Sequence, residues 1–532
     1  MGAKECIESG KAIFGMELGS TRIKAVLTDP EGNVLAIGGY DWENSFIDGV
    51  WTYSLDEIHA GLKGCYASLR ENVEKTYGIT PKTYAAMGIS AMMHGYMPFD
   101  ADGKLLSRFQ TWRNTNTQAA ADALTELFDF NIPLRWTIAH VYQCMLDKEE
   151  HVKHYDFVTL LSSYVQYLLT GERVVGIDDA SGMFPIDSEK MDFDETMVQK
   201  FDAVAAEQGY TWKLRNIFPR VCVAGEHVGS LTEAGAALLD ETGTLQPGIP
   251  FCPPEGDAGT GMVATNAVDK RTGNVSAGTS FFAMIVLEKR LSKVYREIDM
   301  VTTPDGSPVA MSHSNNGTTD LNTWVSLFHE FAGLLGVQAD MGKTFETLYR
   351  HSLTGDADCS GMIAFNYDAG ESMTGVNEGR PLFVRMPDSK ANLANFIKTH
   401  LYASLAVVKM GLDILKNEDV KIDRIMGHGG FFKTPEVGQR AMAAAVGAPV
   451  TVMDTASEGG AWGIALLANY MARRLNGSEE TLGEFLNNEI FAKLSGTTLA
   501  PTQEEIDGFE AYMVNYRAGI AAEKAAVESM KR

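Results

Sequence analysis

Two short segments, Gly19-Ser20-Thr21 and Gly278-Thr279-Ser280, place a glycine ahead of two hydroxyl residues between apolar runs. Glycine lets the backbone bend sharply and lets an anion come close, while hydroxyls and turn N–H groups can donate to phosphate oxygens. Lys24, just beyond the first turn, is read as a further phosphate contact, although a solvated strand charge would look the same. A second constellation is Ile177-Asp178-Asp179-Ala180-Ser181-Gly182. A carboxylate followed by small residues suits a loop reaching into a cleft, where it can act as a general base. Asp179 is the candidate and Asp178 the alternative.

The elements around these residues decide between kinds of phosphate site. Ala12–Leu18 reads as a buried strand, Ile23–Thr28 as a second and Val34–Gly38 as a third, an antiparallel meander. Leu55, Ile58, Leu62, Cys65 and Leu69 recur at helical spacing within Ser54–Tyr77. The pattern restarts near residue 255. Gly273–Ala277 and Phe281–Leu287 flank the second turn, and a strand at Arg424–Met426 runs into Gly427-His428-Gly429-Gly430. Dinucleotide and Walker-type loops run from a strand into a helix. Here each turn joins two strands, which excludes those folds and predicts two phosphate hairpins, one per half, facing each other across a cleft. Either hairpin alone is unremarkable, but two copies form an internal repeat.

On these motifs the chain resembles the FGGY carbohydrate kinases, with local matches to the xylulose (pentulose) kinases. The resemblance spans roughly residues 12–468. It implies an α/β fold of two actin-like (ribonuclease H-like) ATPase lobes with a cleft between them. The expected division is residues 12–258 for sugar binding and the base, 268–470 for nucleotide binding, and 477–532 as a helical extension packed on the second lobe. The family's first motif is Asp-x-Gly-Thr-x-x-x-Lys, and this chain carries Glu17 in place of the Asp.

The resemblance implies roles residue by residue. Asp179 falls in the segment holding the family's catalytic base. Glu17 and Asp257, the latter in Gly256-Asp257-Ala258-Gly259, are expected to face Mg²⁺ and phosphate, though an Asp there also suits a helix N-cap. Met93-His94-Gly95 resembles the Met-His pair that contacts sugar, and a neutral imidazole offers one donor and one acceptor to adjacent hydroxyls. Trp112-Arg113-Asn114 resembles a Trp-Asn-Asp stretch, which assigns Trp112 and Asn114 to the sugar. Gly429, Gly430 and Lys433, with Gly460 of Glu458-Gly459-Gly460-Ala461-Trp462-Gly463, are expected around adenine and ribose in the second lobe. Phe431 and Phe432 stand where polar residues are usual. Gly370-Glu371-Ser372 resembles a Gly-Glu-Arg loop.

The bulk composition narrows the partners. With 532 residues, 45% hydrophobic content and 21% charged content, the chain reads as a globular protein of two large lobes. A net charge of -24 repels phosphate backbones and anionic lipid, so neither nucleic acid nor membrane is expected as a partner. The six cysteines are scattered without metal-type spacing, as in a reduced cytoplasmic protein. The expected activity is ATP- and Mg²⁺-dependent phosphorylation of a ketose, with xylulose as first candidate. Ribulose, a deoxyketose, a glycerol-type polyol or a catalytically impaired nucleotide-binding regulator are the alternatives. A homodimer is one candidate assembly.

Overall fold

The computed structural model describes residues 1–453 and 459–531; Glu458, read as the start of the second glycine segment, lies outside the described residues. The chain packs as two compact units. The first comprises Met1–Asp269, Met300–Val309 and the described residues of 456–493.

Its sheet contains β1 (Ile13–Leu18), β2 (Arg22–Thr28), β3 (Val34–Asp41), β4 (Ala86–Ala91) and β5 (Glu255–Gly256), in the order β5-β4-β1-β2-β3. The meander β1-β2-β3 is antiparallel, whereas β4 runs parallel to β1 and β5 parallel to β4. Every residue of β4 is buried, the signature of a strand covered on both faces. Beside it, α1 (Leu55–Tyr77) packs against β3 and β2. Ser54 and Glu57 cap its start reciprocally, and Ile58, Leu62, Cys65, Leu69 and Val73 form its buried stripe.

The Gly459–Leu475 helix also packs on this first sheet. A Cβ at Gly15 of β1 would stand 2.4 Å from the Ala461 carbonyl, and one at Gly463 would stand 2.0 Å from the Thr260 carbonyl. Glycine is therefore required for the helix to lie so close. Trp462 and Asn469 donate to the carbonyls of Gly32 and Pro30, tying the helix to the β2–β3 turn. Gly459–Gly463, expected in the second lobe, thus lie within the first compact unit.

The second unit comprises Lys270–Asp299 and the described residues of 310–455 and 494–532. Its sheet carries β6 (Thr272–Ala277), β7 (Phe281–Val286), β8 (Pro308–Ser314), β9 (Arg424–His428), β10 (Val450–Met453) and β11 (Gly496–Leu499), in the order β8-β7-β6-β9-β10-β11. β6 and β7 are antiparallel, β9 is parallel to β6, and β10 is parallel to β9. The first unit's strand order is thus repeated, which accounts for the repeated turn in the sequence. The expected extension 477–532 is divided. Leu482–Phe485 lies in the first unit, while β11 and the Gln503–Ser529 helix join the second, where Phe509, Tyr512, Met513 and Tyr516 are buried. Among the described residues no helix is long and apolar enough to cross a membrane, and all six cysteines are free and buried.

Candidate active site

In the first turn the Gly19 N–H donates to the Arg22 carbonyl at 3.1 Å, and Leu18 pairs with Ile23. The Gly19 carbonyl accepts from Trp42 Nε1 at 2.7 Å, and the Ser20 carbonyl accepts from the Tyr53 hydroxyl at 2.5 Å. The two rings stack with centroids 4.1 Å apart. In a trans peptide the N–H points opposite to the C=O. Fixing these carbonyls therefore aims the Ser20 and Thr21 N–H groups away from the rings, as an anion site needs.

The second turn, within the second unit, reaches the same result by other means. Gly317 N–H donates to the Thr279 carbonyl at 2.7 Å, and both the N–H and the hydroxyl of Thr318 donate to the Gly278 carbonyl at 3.0 Å. The N–H groups of Thr279 and Ser280 are thereby turned outward. Ala277 pairs with Phe281, whereas Leu18 pairs with Ile23, so the second loop is one residue shorter than the first. The sequence alignment of the two turns slips at that point.

The carboxylates gather in the first unit. Asp179 lies on α2 (Ile177–Ser181), a single helical turn and not the expected loop, and is fully buried. Its Oδ2 accepts from the Ser162 hydroxyl, its N–H donates to Glu255 at 3.3 Å, and its Oδ1 has no hydrogen-bond partner among the described residues. Burial pushes its carboxyl up to about 8, Ser162 pulls it back, and the Asp257 charge pushes it further. Neighbouring Asp178 accepts from Gly259 N–H at 3.0 Å, so it anchors α2 to α3 (Asp257–Ala264). Burial and the Asp179 charge hold Asp178 well above the usual carboxylate range. The packing is close: a Cβ at Gly176 would meet the Glu255 carboxylate at 2.1 Å, and one at Gly259 would meet Asp178 at 2.4 Å.

Glu17 is paired across the sheet with Lys24 on β2 and Ser90 on β4. Burial and the Asp257 charge raise its carboxyl to about 7, against the lowering effects of Lys24 and the Ala461 backbone. Asp257 reaches water on one side, while the protein around its other sides raises its carboxyl; its Oδ1 accepts from Met93 N–H at 3.0 Å. A site where one carboxylate's charge raises the other suits a divalent cation, which would relieve the repulsion.

His94 adopts a left-handed φ of 70° and is buried. Burial and the Arg135 charge keep it well below its ordinary pKa, hence neutral. It lies against Gly182, where a Cβ would come within 2.6 Å of Nδ1. Met93 spans between Gly256 and Gly182 beside Asp179. Trp112 is 39% exposed and donates to Ser20 Oγ at 3.2 Å, so it adjoins the first phosphate turn. Asn114 is otherwise engaged. Its side chain accepts from Trp51 N–H at 2.9 Å and donates to the carbonyls of Trp51 and Thr111.

In the second unit, Gly429 has a φ of 105°, and a Cβ there would sit 2.3 Å from the Ala277 carbonyl. Gly430 is open and Lys433 is exposed. Phe431 and Phe432 do not line an open surface: both are buried, Phe431 edge-on to Phe281 and Phe432 against Gly427. Gly460 belongs to the first unit, where its missing Cβ leaves room for Glu17 Oε1, 2.6 Å from the Cβ position. Glu17, Lys24, Asp257 and Gly460 therefore converge. Sequence reasoning missed Trp42, Tyr53, Ser162 and Glu255, none of which belongs to a local motif.

Comparison with known proteins finds a two-domain family whose second domain, unlike the second compact unit, takes in Gly459–Gly463. The family described as "FGGY family of carbohydrate kinases" matches with its N-terminal domain over residues 12–264 and its C-terminal domain over residues 273–472. An L-fuculokinase from Salmonella typhi is 25% identical over 271 residues, covering 46% of this chain and 50% of its own length. A xylulose kinase from Escherichia coli (strain K12) is 23% identical over 290 residues, covering 53% of this chain and 55% of its own. The chain thus spans about half the length of these curated relatives. Among solved structures, one titled as a xyloylose kinase from Brucella ovis is similar with a TM-score of 0.76 at 18% identity, covering 96% of this chain and 99% of that one.

Proposed function

This chain belongs to the FGGY family of carbohydrate kinases, and from that we propose that it transfers the terminal phosphoryl group of ATP to a hydroxyl of a ketose, xylulose or a related pentulose first. The observation that carries the reading is Asp179: Ser162 holds one oxygen, and the other has no partner among the described residues. That second oxygen accepts the proton of the attacking sugar hydroxyl as the new O–P bond forms and the bond to ADP breaks.

The outward N–H groups of Ser20, Thr21, Thr279 and Ser280 supply donors for phosphate oxygens, whose charge shifts during transfer. Lys24 adds a positive charge to the first turn. Glu17 and Asp257 would hold Mg²⁺, which when bound neutralises phosphate charge. Neutral His94 can donate and accept toward sugar hydroxyls, and Trp112 offers its face beside the first turn. Asn114 takes a positioning role, because its amide is committed to Trp51 and Thr111. Gly429, Gly430 and Lys433 are assigned to the nucleotide's base and ribose. Gly460 makes room for Glu17 in place of an adenine contact.

A coupled ADP-release assay over xylulose, ribulose, fuculose and glycerol tests the reading. Sugar-stimulated, Mg²⁺-dependent release is expected, strongest with a pentulose. Release with glycerol alone would transfer the reading to a polyol kinase. No release with any acceptor would remove it.

A further inference from the structure

Gly370-Glu371 has no part in the chemistry above, yet Glu371 is a buried carboxylate, 1% exposed, within a dense set of hydrogen bonds. It accepts from Asn315 N–H at 3.0 Å, from Asn316 Nδ2 at 3.2 Å and from Ser314 Oγ at 3.3 Å. Asn366 holds the same loop from another side, donating to the carbonyls of Asn316 and Gly317 at 2.8 Å. The next residues along are Gly317 and Thr318, the donors that fix the Thr279 and Gly278 carbonyls.

We infer that Glu371 is a positioning residue for the second phosphate turn, fixing Asn315–Thr318 so that the Thr279 and Ser280 N–H groups face the nucleotide phosphates. The inference rests on the kinase reading and adds a residue to it. Its logic is geometric. The loop lacks a repeating ladder to hold it, and a carboxylate accepting from three donors at once can fix a loop that a neutral side chain would leave loose. A Cβ at Gly317 would stand 2.3 Å from the Gly278 carbonyl, so the two segments lie nearly in contact and a small loop displacement reaches the turn. The Gly19 and Ser20 carbonyls of the first turn are held by side chains and not by loop N–H groups among the described residues. There the rings of Trp42 and Tyr53 do the same work.

Glu371→Met keeps much of the bulk but removes the one oxygen on which the Asn315, Asn316 and Ser314 donors converge. Leaving buried donors unmatched costs about 1–3 kcal/mol, which corresponds to a roughly tenfold change in affinity if expressed at the turn. Binding of ADP by titration calorimetry, together with steady-state kinetics, gives the test. The expected result is an ADP dissociation constant and an ATP KM both raised about tenfold, with the sugar KM within about twofold of wild type. A merely structural loss would lower the active fraction, and so kcat, without splitting the two KM values. Thr318→Val, which removes one donor to the Gly278 carbonyl and leaves the buried carboxylate intact, is expected to act in the same direction with smaller size. If Glu371→Met does not fold, Thr318→Val decides alone. Wild-type ADP affinity in the folded variants, beside a wild-type enzyme that turns over, overturns this inference and spares the kinase reading. A wild-type protein that binds no nucleotide overturns both.

Discussion

Tyr53 donates its phenolic hydroxyl to the main-chain carbonyl of Ser20 at 2.5 Å. The Tyr53 ring is buried against the half-buried Ser20, and Tyr53→Phe takes away that donor. An unmatched carbonyl of this kind costs about 1–3 kcal/mol. Tyr53→Phe is expected to keep the stack on Trp42, lower the melting temperature by a few degrees and lower kcat/KM for ATP by roughly tenfold. Calorimetric melting and initial rates at varied ATP check both.

Asp179→Asn removes the proposed proton acceptor and is expected to reduce turnover about 100-fold or more. The carboxyl lies at about 8, chiefly because of burial. In the wild type, kcat/KM for sugar should therefore climb with pH and level off near 8. Ser162→Ala loses a hydrogen bond that favours the carboxylate, so its limb should move to higher pH. A limb that stays in place in Ser162→Ala separates Asp179 from the titration.

The same shift has a stability sign. Asp179's folded value lies above its unfolded value of about 3.9. Between those values the folded chain keeps a proton that the unfolded chain has lost. Its contribution is therefore fully present below about pH 4 and is lost as pH rises through about 8. Asp179→Asn should melt above the wild type at pH 8, with the gap closing toward pH 4. Paired melting curves at the two pH values measure this.

Glu17 titrates near 7 because of burial and the Asp257 charge, and a metal ligand must be deprotonated. The half-saturating Mg²⁺ concentration of the wild type should fall as pH rises from 6 to 8. In Glu17→Gln it should be about tenfold higher and lose most of that pH dependence, whereas Glu17→Asp should restore it. Activity titrations with Mg²⁺ at fixed ATP test the three proteins.

Gly460→Ala would bring a methyl group within 2.6 Å of Glu17 Oε1 and 2.8 Å of Thr260 Oγ1. Overpacking of this kind costs about 1–3 kcal/mol. The variant is expected to imitate Glu17→Gln in its Mg²⁺ requirement. A substitution that altered only the ATP KM would return Gly460 to the adenine contact implied by resemblance.

What could be read from the sequence was local. Gly19 and Gly278 stood out because a hairpin turn writes its own residue types, and the helix Leu55–Tyr77 because a buried stripe repeats every three or four residues. The two-lobe organisation followed from the repeat, and its α/β class from the family resemblance. The partners that shape the site were not local. Ser162 and Glu255 reach Asp179 from 17 and 76 residues away. A serine in a helix and a glutamate before a glycine have nothing in their neighbourhood to mark them. The five-residue turn around Asp179 is too short for helical periodicity, and so read as a loop. Gly459–Gly463 is ambiguous in the sequence because close helix packing and nucleotide approach both ask for small residues; the close contact of Gly463 with Thr260 is visible only in the fold.

The seating of that last helix also bears on how the protein is made. β1 leaves the ribosome well before the helix that covers Gly15, which begins at Gly459. Until that helix is synthesised, one face of the first sheet stays uncovered, and apolar strands such as β4 are open to sticking. The amino-terminal half is thus a nascent chain in waiting. Its core closes only when the much later helix at Gly459 arrives, and it is during this interval that holding chaperones would count most for yield.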